Sequence, residues 1–323
     1  MITNEMVLGV NVFLMTICVL QITSNLVVLL VWSGDKRLMR NDNLILLVSL
    51  AFIDFVYASI NFPYLIILFR GWVPSGKTFE YNPRVIVPLF GPAAALMKSG
   101  CTVTTAIAVD RVLALCFPAQ YYRKSKKMCE WSIAAFVLAL TLAFIDWILL
   151  QILVDIREVP GCASFGCFTN KTFRVWWGLS NMVMNLLSFI LTLMIMFHLC
   201  THSSSSKRIV EIEKSNFRKI DKSANRVALY ILMTSALIGV VPGCLNGVGT
   251  LVELKWLDEV SFFVGTCATL SGLAHAFIFA MAHRDIKSGL KKQFLHRCIK
   301  PKKNERAVTV GWGSTGFAPS ITI

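Results

Sequence analysis

Apolar positions along this chain are gathered into long runs. Residues 6–34, 175–201, 227–252 and 260–282 contain no Asp, Glu, Lys or Arg. Residues 43–69, 85–109 and 131–154 contain one each: Asp54, Lys98 and Asp146. A helix crosses the hydrocarbon core of a bilayer with about 20 apolar residues, so every run is long enough to span it. The pattern predicts an all-α integral membrane protein, a seven-transmembrane helix bundle with spans near 6–33, 43–69, 85–116, 129–154, 175–201, 226–252 and 258–282. The first run is too long for a signal-peptide core, and the MITNE ahead of it has no basic residue. Past the seventh run, Ile286, Leu290 and Phe294 recur every four residues among basic neighbours. That spacing predicts a short amphipathic eighth helix over 284–297 lying on the membrane surface. One domain over 1–300 and a disordered cytoplasmic tail over 301–323 complete the expected organisation.

Composition agrees: 55% of the residues are hydrophobic and 15% charged, against about 25% charged in ordinary globular domains. The net charge of +14 is unevenly placed. One side of the bundle would hold Lys36, Arg37, Arg40, Arg123, Lys124, Lys126 and Lys127, seven basic residues between 207 and 226, and nine after 283. The other side has three after the second span, three in 155–174, and Lys255. The basic-rich side is expected to be cytoplasmic, with the N-terminus outside. Anionic lipid of the inner leaflet accounts for the charge without nucleic acid. Asn170-Lys171-Thr172 is a glycosylation sequon in a loop expected outside. Cys162 and Cys167 fall in the same loop, where they either close a local disulfide or remain two free thiols.

Polar groups inside spans are expensive and tend to face the bundle interior. Asn25, Asp54 and His275 sit at depths that allow one polar cluster, holding a water network, a cation or a proton, or simply a hydrogen-bond network between helices. Lys98 and Asp146 either anchor a ligand or pair with each other. Pro242 lacks a backbone donor and is the expected hinge of the sixth span, and Pro63 should bend the second. Asp110 and Arg111 close the third span as an adjacent acid and base. Cys298 is a juxtamembrane candidate for palmitoylation. No nucleophile–base set or metal-ligand spacing points to an enzyme.

These marks, in this order, resemble a rhodopsin-like G-protein-coupled receptor over nearly all of residues 6–300. Asn25 stands at the first-span Asn, Leu50 to Asp54 matches the stretch ending in the sodium-site Asp, and Asp110-Arg111-Val112 stands for Asp-Arg-Tyr. Pro118, Pro242 and His275 to Phe279 follow at the expected places. The departures are pointed. Gly239 and Val240 replace the residues ahead of the kink proline, and His275-Ala276 replaces Asn-Pro. The third span lacks the cysteine of the family disulfide, Ala93 stands where aminergic relatives have Asp, and Lys222 stands where an acid often locks the Arg. With these divergences the chain is similar to nematode serpentine chemoreceptors of the Srbc or Srsx type. The resemblance implies a small extracellular ligand held between the helices, a heterotrimeric G protein as partner, and Asp110-Arg111 as its switch. It also implies a sodium ion as the candidate cation at Asp54, with no other cofactor or metal, and a plasma-membrane location, in a sensory cilium for a chemoreceptor. Homo- or heterodimers are open, and a neuropeptide-type receptor or a seven-span transporter or channel are the alternatives.

Overall fold

The computed structural model describes residues 3–123, 128–154, 160–161, 165–205, 227–252, 261–282 and 286–290. Among these, seven helices are long and apolar enough to cross a membrane. They are α1 (Asn4–Gly34), α2 (Ile45–Arg70), α3 (Pro83–Cys116), α4 (Met128–Leu153), α5 (Lys171–Ser205), α6 (227–252) and α7 (Ser261–Ala282). Several begin outside their apolar runs because local caps extend them. The Thr3 side chain accepts from Met6 N–H ahead of α1, and the Asn82 side chain accepts from Arg84 N–H with Pro83 at the first helical position of α3. Asn170 Oδ1 accepts from Thr172 N–H at 3.0 Å. The sequon residue therefore also caps α5.

α3 is the central helix, packed against α2, α4 and α5, while α1 touches both α2 and α7. α5 packs on α6, and α6 on α7, which closes the ring. Large apolar side chains on the outside are bare, with Ile152, Phe197 and Leu237 at 71%, 73% and 72% exposure. Lipid is the solvent that such a surface needs. The interior holds two apolar clusters. One lies toward the N-terminal face, built on Leu14, Leu65, Ile86, Leu150 and Phe168. The other lies toward the opposite, basic face, built on Val31, Leu44, Ile107, Leu232 and Ile286.

Residues 286–290 are helical, with Ile286 fully buried and Leu290 half-buried against the basic-face cluster. Phe294, the rest of the expected amphipathic helix, Cys298, Lys222 and the tail lie outside the described residues.

At the N-terminal face, packing pins α1 to the loop after α2. Asn4 Nδ2 bridges the carbonyls of Val73, Pro74 and Lys77 at 3.0, 3.2 and 3.1 Å, and Trp72 Nε1 donates to Asn4 O at 2.8 Å. Tyr81 donates to Leu68 O at 2.8 Å, and burial pushes its phenol pKa up to about 12, so it stays a donor. Phe90 packs on Tyr64 and on Phe165 with ring centroids 4.5 and 4.8 Å apart. Phe165 N–H in turn donates to the Tyr64 hydroxyl at 3.2 Å. Cys167 is disulfide-bonded, whereas Cys162 lies outside the described residues. Asn4→Ala should lower the stability of the purified protein by about 1 kcal/mol, the worth of a partly exposed hydrogen-bond set. A thermal unfolding midpoint identical to wild type would contradict the pinning of α1 to this loop.

Candidate functional site

The polar residues of the spans meet in two places inside the bundle and one at its basic face. In the first, His275 of α7 lies between α2 and α6. Its Nδ1 is 3.0 Å from Asp54 Oδ2, and its Nε2 is 2.8 Å from Ser235 Oγ and 3.2 Å from Ser271 Oγ. Asp54 and His275 are 8% and 6% exposed, so this bond is buried. Asn25 belongs to the same region but not to the same bond: its Nδ2 donates to Gln21 O and Gly272 O at 3.0 and 3.4 Å. Gln21 Nε2 completes the link from α1 by donating to Asp54 O at 3.1 Å. Gly272 leaves room for this link, because a Cβ on it would collide with Gln21 Nε2 and stand 3.0 Å from Asp54 Oδ1.

Hard cations take oxygen ligands, and Asp54 Oδ2 is met by a ring nitrogen. Among the described residues no group of three or more His, Cys, Asp or Glu could hold a metal ion.

The second meeting point joins α3, α4 and α5. Lys98 Nζ is 2.7 Å from Asp146 Oδ2, bonds the Ser180 hydroxyl, and lies 5.7 Å from the centroid of the Trp176 ring. Trp176 Nε1 donates to Asp146 Oδ1 at 3.0 Å. Asp146 is 1% exposed and Lys98 4%, so neither is hydrated from the membrane surface. At the basic-face end of α3, Arg111 Nε donates to Asp110 Oδ2 at 3.0 Å, with both residues buried. Tyr121, from the short helix Pro118–Arg123, donates to Asp110 Oδ1 at 3.1 Å and lies 3.4 Å from Arg111.

Between the two apolar clusters a cavity of about 100 Å³ opens among α2, α3, α5, α6 and α7. Asp54, His275 and Ser235 border it, as do Trp177, Asn181 and Asn185. The last three lie at successive i, i+4 positions on one face of α5, a spacing present in the sequence inside a charge-free run. On α6, residues Ala236–Val240 form a π-helical turn just before Pro242. Proline removes an N–H and crowds the carbonyl four residues back, here Ile238, and the widened turn accommodates that. Gly239 and Gly243 lie against Asn185, where a Cβ on Gly243 would stand 2.7 Å from Asn185 Nδ2. Lys98 and Asp146 are not among the described lining residues.

A family model for serpentine type 7TM GPCR chemoreceptors, Srbc, matches residues 4–263. The chain belongs to the Srbc chemoreceptor family. No individually curated protein matches it. Srbc membership makes it a multi-pass membrane protein of a receptor family, not an enzyme family.

In this Srbc receptor the ion pair of α3 and α4 should carry stability. Lys98→Met should cost about 3–5 kcal/mol by leaving Asp146 buried and unpaired, and the double change Lys98→Met with Asp146→Leu should recover most of it. Thermal unfolding of the purified variants checks this; a stable single variant would contradict it.

Proposed function

We propose that this Srbc receptor takes a small extracellular molecule into the cavity and activates a heterotrimeric G protein from its basic face. One observation carries the reading. Ser235, which borders the cavity, is bonded to His275 and immediately precedes the π-helical turn of α6. An occupant of the cavity and the position of α6 therefore depend on the same atoms. A cavity of about 100 Å³ favours a small molecule over a neuropeptide.

The mechanism follows from linkage. A ligand shifts a conformational equilibrium only by its difference in affinity for the two forms. A molecule that favours the form without the Ser235–His275 bond releases α6 to turn about Pro242 and open the basic face. Arg111, held by Asp110 and bordered by Tyr121, then exchanges that contact for the carbonyl end of a G-protein helix. The excess of Lys and Arg in the loops of that face supports a cytoplasmic side there, with the N-terminus and the Asn170 sequon outside. The plasma membrane of a sensory ending, such as a cilium, is the location that suits the role.

Arg111→Ala should reduce ligand-driven nucleotide exchange by about tenfold or more, the worth of a charge-assisted hydrogen bond, and leave ligand binding in place. Exchange on reconstituted heterotrimers, measured beside binding, decides it. Full exchange in the variant would contradict the proposed switch.

A further inference from the structure

At the basic-face end of α1 the chain turns at once into a short helix, Lys36–Met39. Asp35 sets this turn. Its Oδ1 accepts from Arg37 N–H at 2.8 Å, and its carbonyl oxygen accepts from Leu38 and Met39 N–H at 3.0 and 3.1 Å. Leu38 is buried in the basic-face apolar cluster and anchors the turn to the bundle. Lys36, Arg37, Met39 and Arg40 are left exposed. Arg40 keeps helical backbone angles as the C-cap. Residues three and four apart are neighbours on a helix, so Arg40 stands beside both Arg37 and Lys36.

A fourth cation joins them from beyond α7. The helical residues 286–290 lie against the last turn of α1, where a Cβ on Gly289 would stand 2.7 Å from Val31 Cγ1. Ile286 is fully buried in the same apolar cluster, and Lys287 beside it is exposed. Among the described residues none of the four cationic side chains has a hydrogen-bond or salt-bridge partner. The acids at this corner are Asp35, whose Oδ1 is engaged in the cap, and Asp42, exposed on the following turn Asp42–Leu44. Cations outnumber acids by four to two.

The apolar surface runs up to this charge. Leu26 and Leu30 of α1 are exposed at the level of lipid, and Met39 is exposed among the cations. Acyl chain beside phosphate is the profile of a phospholipid, and basic clusters immediately beyond a spanning helix attract anionic lipid. A lipid with a single net charge meets these cations one at a time. A headgroup with several phosphates on one ring meets them together, so only one molecule has to be ordered.

We infer that the corner of Lys36, Arg37, Arg40 and Lys287 is a binding site for a phosphoinositide. The inference rests on the cytoplasmic placement of the basic face proposed above, because that leaflet carries the inositol lipids.

The test titrates the purified full chain in detergent with dioctanoyl phosphatidylinositol bisphosphate and counts bound lipid by native mass spectrometry. One molecule should bind saturably, about fivefold or more tightly than dioctanoyl phosphatidylserine. Free inositol trisphosphate should bind more weakly than the lipid, because Leu30 and Met39 meet the acyl chains. The triple change Lys36→Gln, Arg37→Gln and Arg40→Gln should weaken the lipid about tenfold or more, and Lys287→Gln about threefold. Arg123→Gln with Lys124→Gln and Lys126→Gln, between α3 and α4, should leave its affinity within about twofold. The comparison of lipids on the unaltered chain stands even where a variant fails to fold. Equal binding of the two lipids, equal loss in the two triple variants, a free headgroup that binds as tightly as the lipid, or no saturable binding would overturn the inference. No G protein enters the measurement, so a chain that drives no nucleotide exchange leaves this site standing. Protease cutting of the C-terminal tail from outside intact cells would overturn the cytoplasmic placement, and the site with it, even where binding in detergent held.

Discussion

A charge inside a membrane-spanning bundle has to find its counterpart there. Each ionised side chain left in hydrocarbon costs a few kcal/mol or more, and no water is present to soften the penalty. Among the described residues three acids of the bundle are met by a basic side chain: Asp54 by His275, Asp146 by Lys98, and Asp110 by Arg111. Two of them join different helices, α2 with α7 and α3 with α4, and so help to decide which helices are neighbours. Apolar packing in lipid gives little direction of its own, because lipid tails are as apolar as leucine. The pairs and the glycine contacts supply the direction: Gly272 against Gln21 and Asp54, and Gly243 against Asn185.

The structural consequence is a cavity whose bordering carboxylate is met by a histidine. His275 is the pivot. Here an imidazole reaches Asp54 with one nitrogen and Ser235 with the other. α2, α7 and α6 are therefore tied through one ring. The tie to α6 falls at the start of its π-helical turn, where proline has already weakened the backbone ladder.

The helices were readable in the sequence because run length and missing charge are strong signals in a membrane protein. The marked residues were readable too: Asp54, Lys98, Asp146 and His275 stand out against apolar neighbours. Their partners were less so. Whether Lys98 faced a ligand or Asp146 depended on the rotation of α3 against α4, which spacing along one helix does not fix. The family pattern points to sodium at Asp54, and the sequence does not show that the His275 ring nitrogen reaches Oδ2 of the same carboxylate. Asn181, Asn185, Ser235 and Ser271 do not stand out in the sequence, because neutral polar residues are common in spans and usually bond their own helix. The role of Asn170 as a helix cap was hidden behind its sequon, since both readings use the same residue.

The tie through His275 is tested most directly by a double-mutant cycle that leaves His275 itself unchanged. Asp54 and Ser235 are bonded to opposite nitrogens of its ring, so they can influence one another through the imidazole. Thermal stability would be measured for Asp54→Asn, Ser235→Ala and the double variant. A shared network predicts non-additivity of about 0.5 kcal/mol or more, because the second substitution acts on a ring the first has already loosened. Strictly additive losses would contradict it, and would mean that α6 is held in place by something other than its bond to His275.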